Sequence, residues 1–477
     1  MEDGPNTIIN LSYRPEYLSE GAEIISENER TVVGALGEER TTPLHLHRGE
    51  NPTPATETPL DFERQISKEL SAEDRESVLK ILRKYGDCFR GPGGKIGRCN
   101  MTKVHIDTGD ARPIYQTPGR SPWKEKEEIN KQVEEMLRQD IIEPLRSAWS
   151  SRVVLAKKPD GSWRFCNDMR ALNSVTKADV YPLPNVNEIL SSLEGSRFFS
   201  NMDLQAGFHQ LELTPDSKER TAFVTSSGLY QYKVLPFGCV TAPVNFQRTM
   251  DIILAGLGWL VCLCYLDDLI VHARTLNEHL EKLDLVLERI HGAGLTIKLG
   301  KCHFAEGQLK CLGHIVSAKG IGVDPDKVKA ISDFPEPKEN MKTAAKVKLI
   351  QSFVGLVNYY RSHVENFATM ARPLTELTKK GAVFTWGPTE KKSFNDLNEA
   401  MLTAVTLAHP HYDAPMEIYP DACTYGIGAV LSQKIKGEER PIAYASRLLS
   451  KTERNYSISE LECLALVWGL KKFRMYV

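Results

Sequence analysis

The sequence predicts an α+β fold, a sheet carrying acidic side chains with helices packed behind it. Three observations predict it. The run Tyr265-Leu266-Asp267-Asp268 lies between two apolar stretches, Leu260-Val261-Cys262-Leu263-Cys264 and Leu269-Ile270-Val271. That pattern reads as a buried β-hairpin with paired carboxylates at its tight turn. From about 150 to 320, short β-like runs alternate with amphipathic stretches of helical period. A hydrophobic content of 41% and a charged content of 26% suit a chain with real cores, and 477 residues allow two to four domains.

The elements follow in order. Residues 1–60 are polar and acidic, with Pro and Thr clustered in Asn51-Pro52-Thr53-Pro54, and read as a flexible lead-in. Residues 61–110 contain a short helical pattern at Glu73 to Leu82. The main unit, 111–320, opens with an amphipathic helix from Lys124 to Gln139 whose stripe is Ile129, Val133, Met136 and Leu137. Its strands are Val153 to Ala156, Phe198 to Leu204 and Leu260 to Val271, and its helices Asn185 to Leu193, Ala242 to Leu254 and Leu276 to Gly292. Phe334-Pro335-Glu336-Pro337 marks a linker, and the 321–405 segment is mostly helical. A last unit, 406–477, opens on a strand around Met416 to Tyr419 and runs into a helical pattern at Val477.

Charge and cysteine usage set the expected surroundings. A formal net charge of −2 excludes a generally basic surface, so any groove for nucleic acid must be local. Ten cysteines without a short framework suit a reducing compartment. No apolar run reaches membrane-spanning length and no signal peptide is legible, so the expectation is a soluble intracellular protein of cytoplasm or nucleus.

The acids carry the chemistry. Burying adjacent carboxylates costs several kcal/mol each unless a cation joins them. Asp203 ends another apolar strand, Phe198-Phe199-Ser200-Asn201-Met202-Asp203, and supplies a third carboxylate. Oxygen-only ligands suit octahedral Mg²⁺ and a two-ion clamp for phosphoryl transfer.

Five motifs in order then resemble the reverse transcriptase of gypsy-class LTR retrotransposons: Ser150 to Cys166, Asp203 to Gln210, Leu235-Pro236-Phe237-Gly238 with Ala242-Pro243 and Phe246-Gln247-Arg248, Tyr265 to Asp268, and Leu312-Gly313-His314. The resemblance implies a right-hand polymerase. Fingers and palm would take 111–320, thumb and connection 321–405, and a truncated RNase H-like α/β lobe 406–477. It implies that Asp203, Asp267 and Asp268, with the Leu204 carbonyl, hold two Mg²⁺ ions, Mn²⁺ being the alternative. Lys158 and Arg164, flanking the Asp160-Gly161 turn, would hold the triphosphate. Phe208 would exclude a ribose 2′-hydroxyl, and Phe237 and Gly238 would floor the nucleotide site. Leu312, Gly313 and His314 would grip the primer. Partners would be a primed RNA or DNA template and dNTPs, with no membrane. The activity implied is RNA-directed DNA polymerase; the alternative is an inactive relic that binds nucleic acid or protein.

In the last unit, Asp421 in Asp421-Ala422-Cys423 and Glu462 resemble RNase H carboxylates, with Glu460 ranked second. The two acids fall short of a full two-metal ligand set, so little or no RNase H activity is expected of the chain as given. Two further patterns are set aside. Asp107-Thr108-Gly109 has the tripeptide of aspartic proteases without the following apolar strand, and Cys302-His303 with Cys311 and His314 lacks zinc-site spacing. Departures from the family pattern are Arg152, Asn167, Met169 and Val240-Thr241.

Overall fold

Strands Phe198–Asp203 and Asp268–Ala273 pair antiparallel at the centre of the molecule, their apolar side chains filling the layers on either side. The structure, a computed structural model, describes residues 60–91, 94–158 and 161–477; the lead-in, Leu60 apart, lies outside them. Cys262–Tyr265 adds on one edge of the pair and His303–Glu306 on the other, giving a four-stranded antiparallel sheet. Its register sets Asp268 opposite both Asp203 and Tyr265.

Two helices from the same stretch of chain contribute to the core against this sheet. Leu276–Gly292 has its expected span. Thr275 caps it by accepting from the Glu278 N–H, and His279, Leu283, Val286, Leu287 and Ile290 recur at helical spacing on its buried face. The buried His279 ring meets Ser200 Oγ through Nε2 at 2.7 Å, while its Nδ1 is buried without a partner among the described residues. Ala242–Ile253 starts with proline in its first turn and buries Phe246, Gln247 and Met250.

A five-stranded sheet stands beside this unit, in the order Ile142–Pro144, Leu229–Tyr232, Phe223–Val224, Ser151–Lys157, Trp163–Asn167. Helix Trp123–Arg138 packs on it through Ile129 and Val133. Downstream, Gln308–Cys311, His314–Ser317 and Gly320–Val323 form a meander. After the proline-rich segment come helices Thr343–Asn358, Phe367–Leu377 and Pro388–Leu402, which share a core around Phe353, Leu374 and Phe394. The last unit is a three-stranded antiparallel sheet, Glu417–Ala422, Gly426–Ile435 and Glu438–Leu448, covered by helix Ile458–Lys472. Ser446 ties it to the helices: its carbonyl accepts from Arg361 at 2.5 Å and its hydroxyl from the Ala368 N–H at 2.9 Å.

All ten cysteines are free thiols. Among the described residues, no helix is long and apolar enough to cross a membrane. Asp107-Thr108-Gly109 is a turn: Asp107 accepts from the Gly109 N–H at 2.7 Å and pairs with Lys177 at 2.9 Å. Cys302 ends a 3-10 turn rather than lying on a strand, while Cys311 closes one, and both are buried. These two do not converge with His303 and His314 into a metal-ligating group among the described residues.

Candidate active site

The site grows from one turn. Tyr265 and Asp268 pair across the central hairpin, so Leu266 and Asp267 alone make the bend. Leu266 adopts φ +53°, a left-handed conformation that a leucine rarely takes. Gln247, fully buried on the neighbouring helix, holds it there. Its side-chain oxygen accepts from the Leu266 N–H at 2.9 Å, and its amide nitrogen donates to the Cys264 carbonyl at 3.1 Å. Cross-strand register then brings Asp203 beside Asp268, and the three carboxylates converge.

Their electrostatics are those of a site awaiting positive charge. Burial, then the charges of Asp203 and Asp268, push the Asp267 carboxyl up from 3.8 to about 6. Asp268 is raised by burial and by Asp203. Asp267 Oδ1 is buried with no hydrogen-bond partner. Lys301 supplies a cation at the edge, its Nζ 2.8 Å from Asp203 Oδ2. Leu204 follows Asp203 directly and bridges to Ile297.

Small and aromatic residues fit beneath. A Cβ on Gly207 would lie 2.9 Å from both Asp267 Oδ1 and the Phe246 ring, so only glycine allows this approach. Phe208, half-buried in the same 3-10 turn, packs against Phe237 at 5.2 Å and Phe246 at 5.5 Å. Gly238 has φ +94°, and a Cβ added to it would lie 3.5 Å from the Met169 side chain. Lys158 and Arg164 lie on the Ser151–Lys157/Trp163–Asn167 hairpin, where the Lys158 N–H donates to the Ser162 carbonyl. Neither makes an ion pair with the triad, and Asp160 of their turn lies outside the described residues.

Leu312 and Gly313 form the turn between two strands of the meander. His314 is 5% exposed, not a surface residue. It sits against Tyr359, Tyr360 and His363, and burial holds its imidazole down at about 4, neutral at pH 7. In the last unit, Asp421 is exposed on the first strand and accepts from Asn366 Nδ2 at 3.3 Å. Glu462 is exposed on the helix that packs against that strand. Glu460 is engaged in a capping box, accepting from the Ser457 N–H at 2.7 Å.

Three residues of the site were not singled out from the sequence. Lys301 is 98 positions from its partner, with no local signal. Gly207 and Gln247 stand inside recognised motifs, but their contacts are non-local.

Comparison with known proteins gives the family and the fold. Residues 156–316 match a family described as reverse transcriptase (RNA-dependent DNA polymerase), and residues 386–477 match an RNase H-like domain found in reverse transcriptase. The chain is 36% identical over 447 residues to the retrovirus-related Pol polyprotein from transposon opus of Drosophila melanogaster, covering 89% of this chain and 44% of that protein. It is 37% identical over 424 residues to that of transposon 297 and 34% over 390 residues to that of transposon gypsy, from the same fly, covering 39% and 37% of them. The chain thus spans less than half the length of these relatives. A foamy viral protease-reverse transcriptase in complex with dsDNA shares the fold, with TM-score 0.79 at 24% identity over 89% of this chain and 88% of that one. The same enzyme with RNA/DNA hybrid gives 0.75 at 23% identity, covering 89% and 57%.

Proposed function

The chain carries a reverse transcriptase domain followed by an RNase H-like domain, related to gypsy-class retrotransposon Pol polyproteins, and on that premise we propose that it extends primers by copying RNA. The observation that carries the reading is the partly buried, converging carboxylate triad, with Asp267 Oδ1 itself buried and unpartnered. An all-oxygen set with one orphaned buried atom fits hard divalent cations. Asp203, Asp267 and Asp268, with the Leu204 carbonyl, would hold two Mg²⁺ ions, or Mn²⁺ in their place. When bound, the ions would lower the pKa of the primer 3′-hydroxyl and offset charge on the triphosphate.

The chain's own residues orient the reactants. Gln247 fixes the turn that presents Asp267. Asp203, paired with Lys301 at 2.8 Å, would have to leave that pair to hold an ion. Lys158 and the planar fork of Arg164 bind phosphate oxygens of the incoming dNTP. Phe208, braced by Phe237 and Phe246, blocks a ribose 2′-hydroxyl by shape. Phe237 and Gly238 form the floor under the nucleotide, and Leu312, Gly313 and His314 hold the primer end. The primed template is bound mainly through phosphates, so affinity falls with salt. Asp421 and Glu462 are the carboxylates that would serve cleavage in the RNase H-like domain.

The test is primer extension on an RNA template with dNTPs and Mg²⁺, wild type beside Asp267→Asn. We expect loss of more than about 100-fold in the variant, since a metal ligand is removed. A folded wild type that binds duplex and adds no nucleotide would overturn the reading in favour of an inactive binding protein.

A further inference from the structure

The turn assigned to the primer end is held by a helix far along the chain. Leu312 and Gly313 have φ of +46° and +74°, so both central residues of this two-residue hairpin are left-handed, one of them a leucine. Two consecutive tyrosines at the end of helix Thr343–Asn358 reach it. Tyr359 Oη donates to the Leu312 carbonyl at 2.5 Å, and Tyr360 Oη donates to the Gly313 carbonyl. A Cβ on Gly313 would sit 3.4 Å from each tyrosine, so the fit is close. The N–H groups of Leu312 and Gly313 find no acceptor among the described residues, and both residues are partly exposed.

The same turn shares an apolar cluster with the hairpin that bears the acids. Leu312 and Tyr265 both pack against this cluster, which includes Leu263 and Ile270 from the paired strands on either side of Asp267. Burial raises the Tyr359 phenol to about 12, so it stays a donor at neutral pH. One continuous set of contacts therefore runs from helix to turn to catalytic hairpin.

We propose that Tyr359 and Tyr360 are positioning residues that lock the Leu312–Gly313 turn, aiming its two free N–H donors at primer phosphates and registering the primer end against the triad. The proposal rests on the polymerase reading. With both carbonyls held by phenols, the turn presents donors alone to an anionic backbone. The seating of the helix then decides where the 3′-hydroxyl lies. A small misplacement there is felt as lost rate rather than lost duplex affinity.

The test uses the full chain and Tyr359→Phe, Tyr360→Phe and the double variant, which keep the rings and remove only the donors. Single-turnover extension at saturating dNTP should slow about tenfold in the double variant, with duplex Kd and dNTP KM within about twofold. A primer ending in 2-aminopurine gives a second readout that needs no catalysis: its fluorescence in the bound duplex should rise in the double variant as the terminus loosens. Unchanged rate and fluorescence would overturn the proposal. So would weaker duplex binding with an unchanged rate at saturating duplex, which would make the pair a duplex contact instead. A wild type without activity would defeat the polymerase reading, yet the fluorescence comparison would still decide the role of the tyrosines.

Discussion

Two clusters of acids on two sheets meet their surroundings in opposite ways. In the central sheet, Asp267 and Asp268 are partly buried, and both carboxyls are driven up by burial and by the neighbouring Asp203. In the last sheet, Asp421 and Glu462 are exposed, and Asn366 already donates to Asp421. The first cluster stores electrostatic cost that a cation relieves; water relieves the second. The difference comes from the partners each turn is given. A buried glutamine and a glycine press the first hairpin into the core, whereas the strand bearing Asp421 alternates between partly buried and exposed residues.

The largest effect that would break this comparison comes from the glycines. In Gly207→Ala the new methyl must displace Asp267 Oδ1 or the Phe246 ring, each 2.9 Å away. On the proposed mechanism, displacing the Asp267 carboxylate by a fraction of an ångström should cut primer extension about 10- to 100-fold. Its counterpart is Gly428→Ala, where the Cβ would meet Asn366 Oδ1 at 2.8 Å, the end of a side chain that can swing away. Extension measured for the pair should fall only in the first. Equal losses would mean that the two sheets are not independent.

A middle-sized effect lies in pH. A raised carboxyl pKa means that the folded chain binds the Asp267 proton more tightly than the unfolded chain does. That contribution to stability is full below pH 3.8 and is lost as pH rises through about 6. Carboxylates held low by cations, such as Asp107 beside Lys177 and Asp179 beside Arg248, act in the opposite direction. The informative quantity is therefore the melting temperature of Asp267→Asn minus that of the wild type, without divalent ions. It should increase from roughly pH 4.5 to pH 7, and Mg²⁺ should raise the wild-type melt most at the upper end. A difference flat with pH would show that the triad carries no buried electrostatic cost.

How much of this was legible in the sequence follows from how local each signal is. The hairpin was readable because apolar runs on both sides of Asp267-Asp268 imply burial within a dozen residues. The helix Leu276–Gly292 was readable from its period and from Thr275 ahead of it. Lys301 was not, because its pairing with Asp203 is made by the fold. His314 reads equally well as surface or site, and only the convergence of Tyr359, Tyr360 and His363 decides that it is buried. The capping box of Glu460 was local: Ser457 three residues before it spells the motif.

The smallest effect separates two orphaned polar groups that look alike. Asn167, like Asp267, has buried side-chain atoms without partners, here both its amide nitrogen and its oxygen. It pairs with Val153 at the end of a strand, beside Met169 and close to Gly238. A buried, unpartnered amide is neutral, so it has no charge for a cation to offset and only loses its hydration. Asn167→Val restores strand-favouring apolar packing and should stabilise the fold by about 1–2 kcal/mol, read as a higher urea midpoint with unchanged m-value. Extension should stay within twofold, because neither Asp267 nor its supports move. If instead Asn167→Val slows extension while leaving duplex binding intact, the amide is meeting a ligand, and the two orphaned groups belong to the same site.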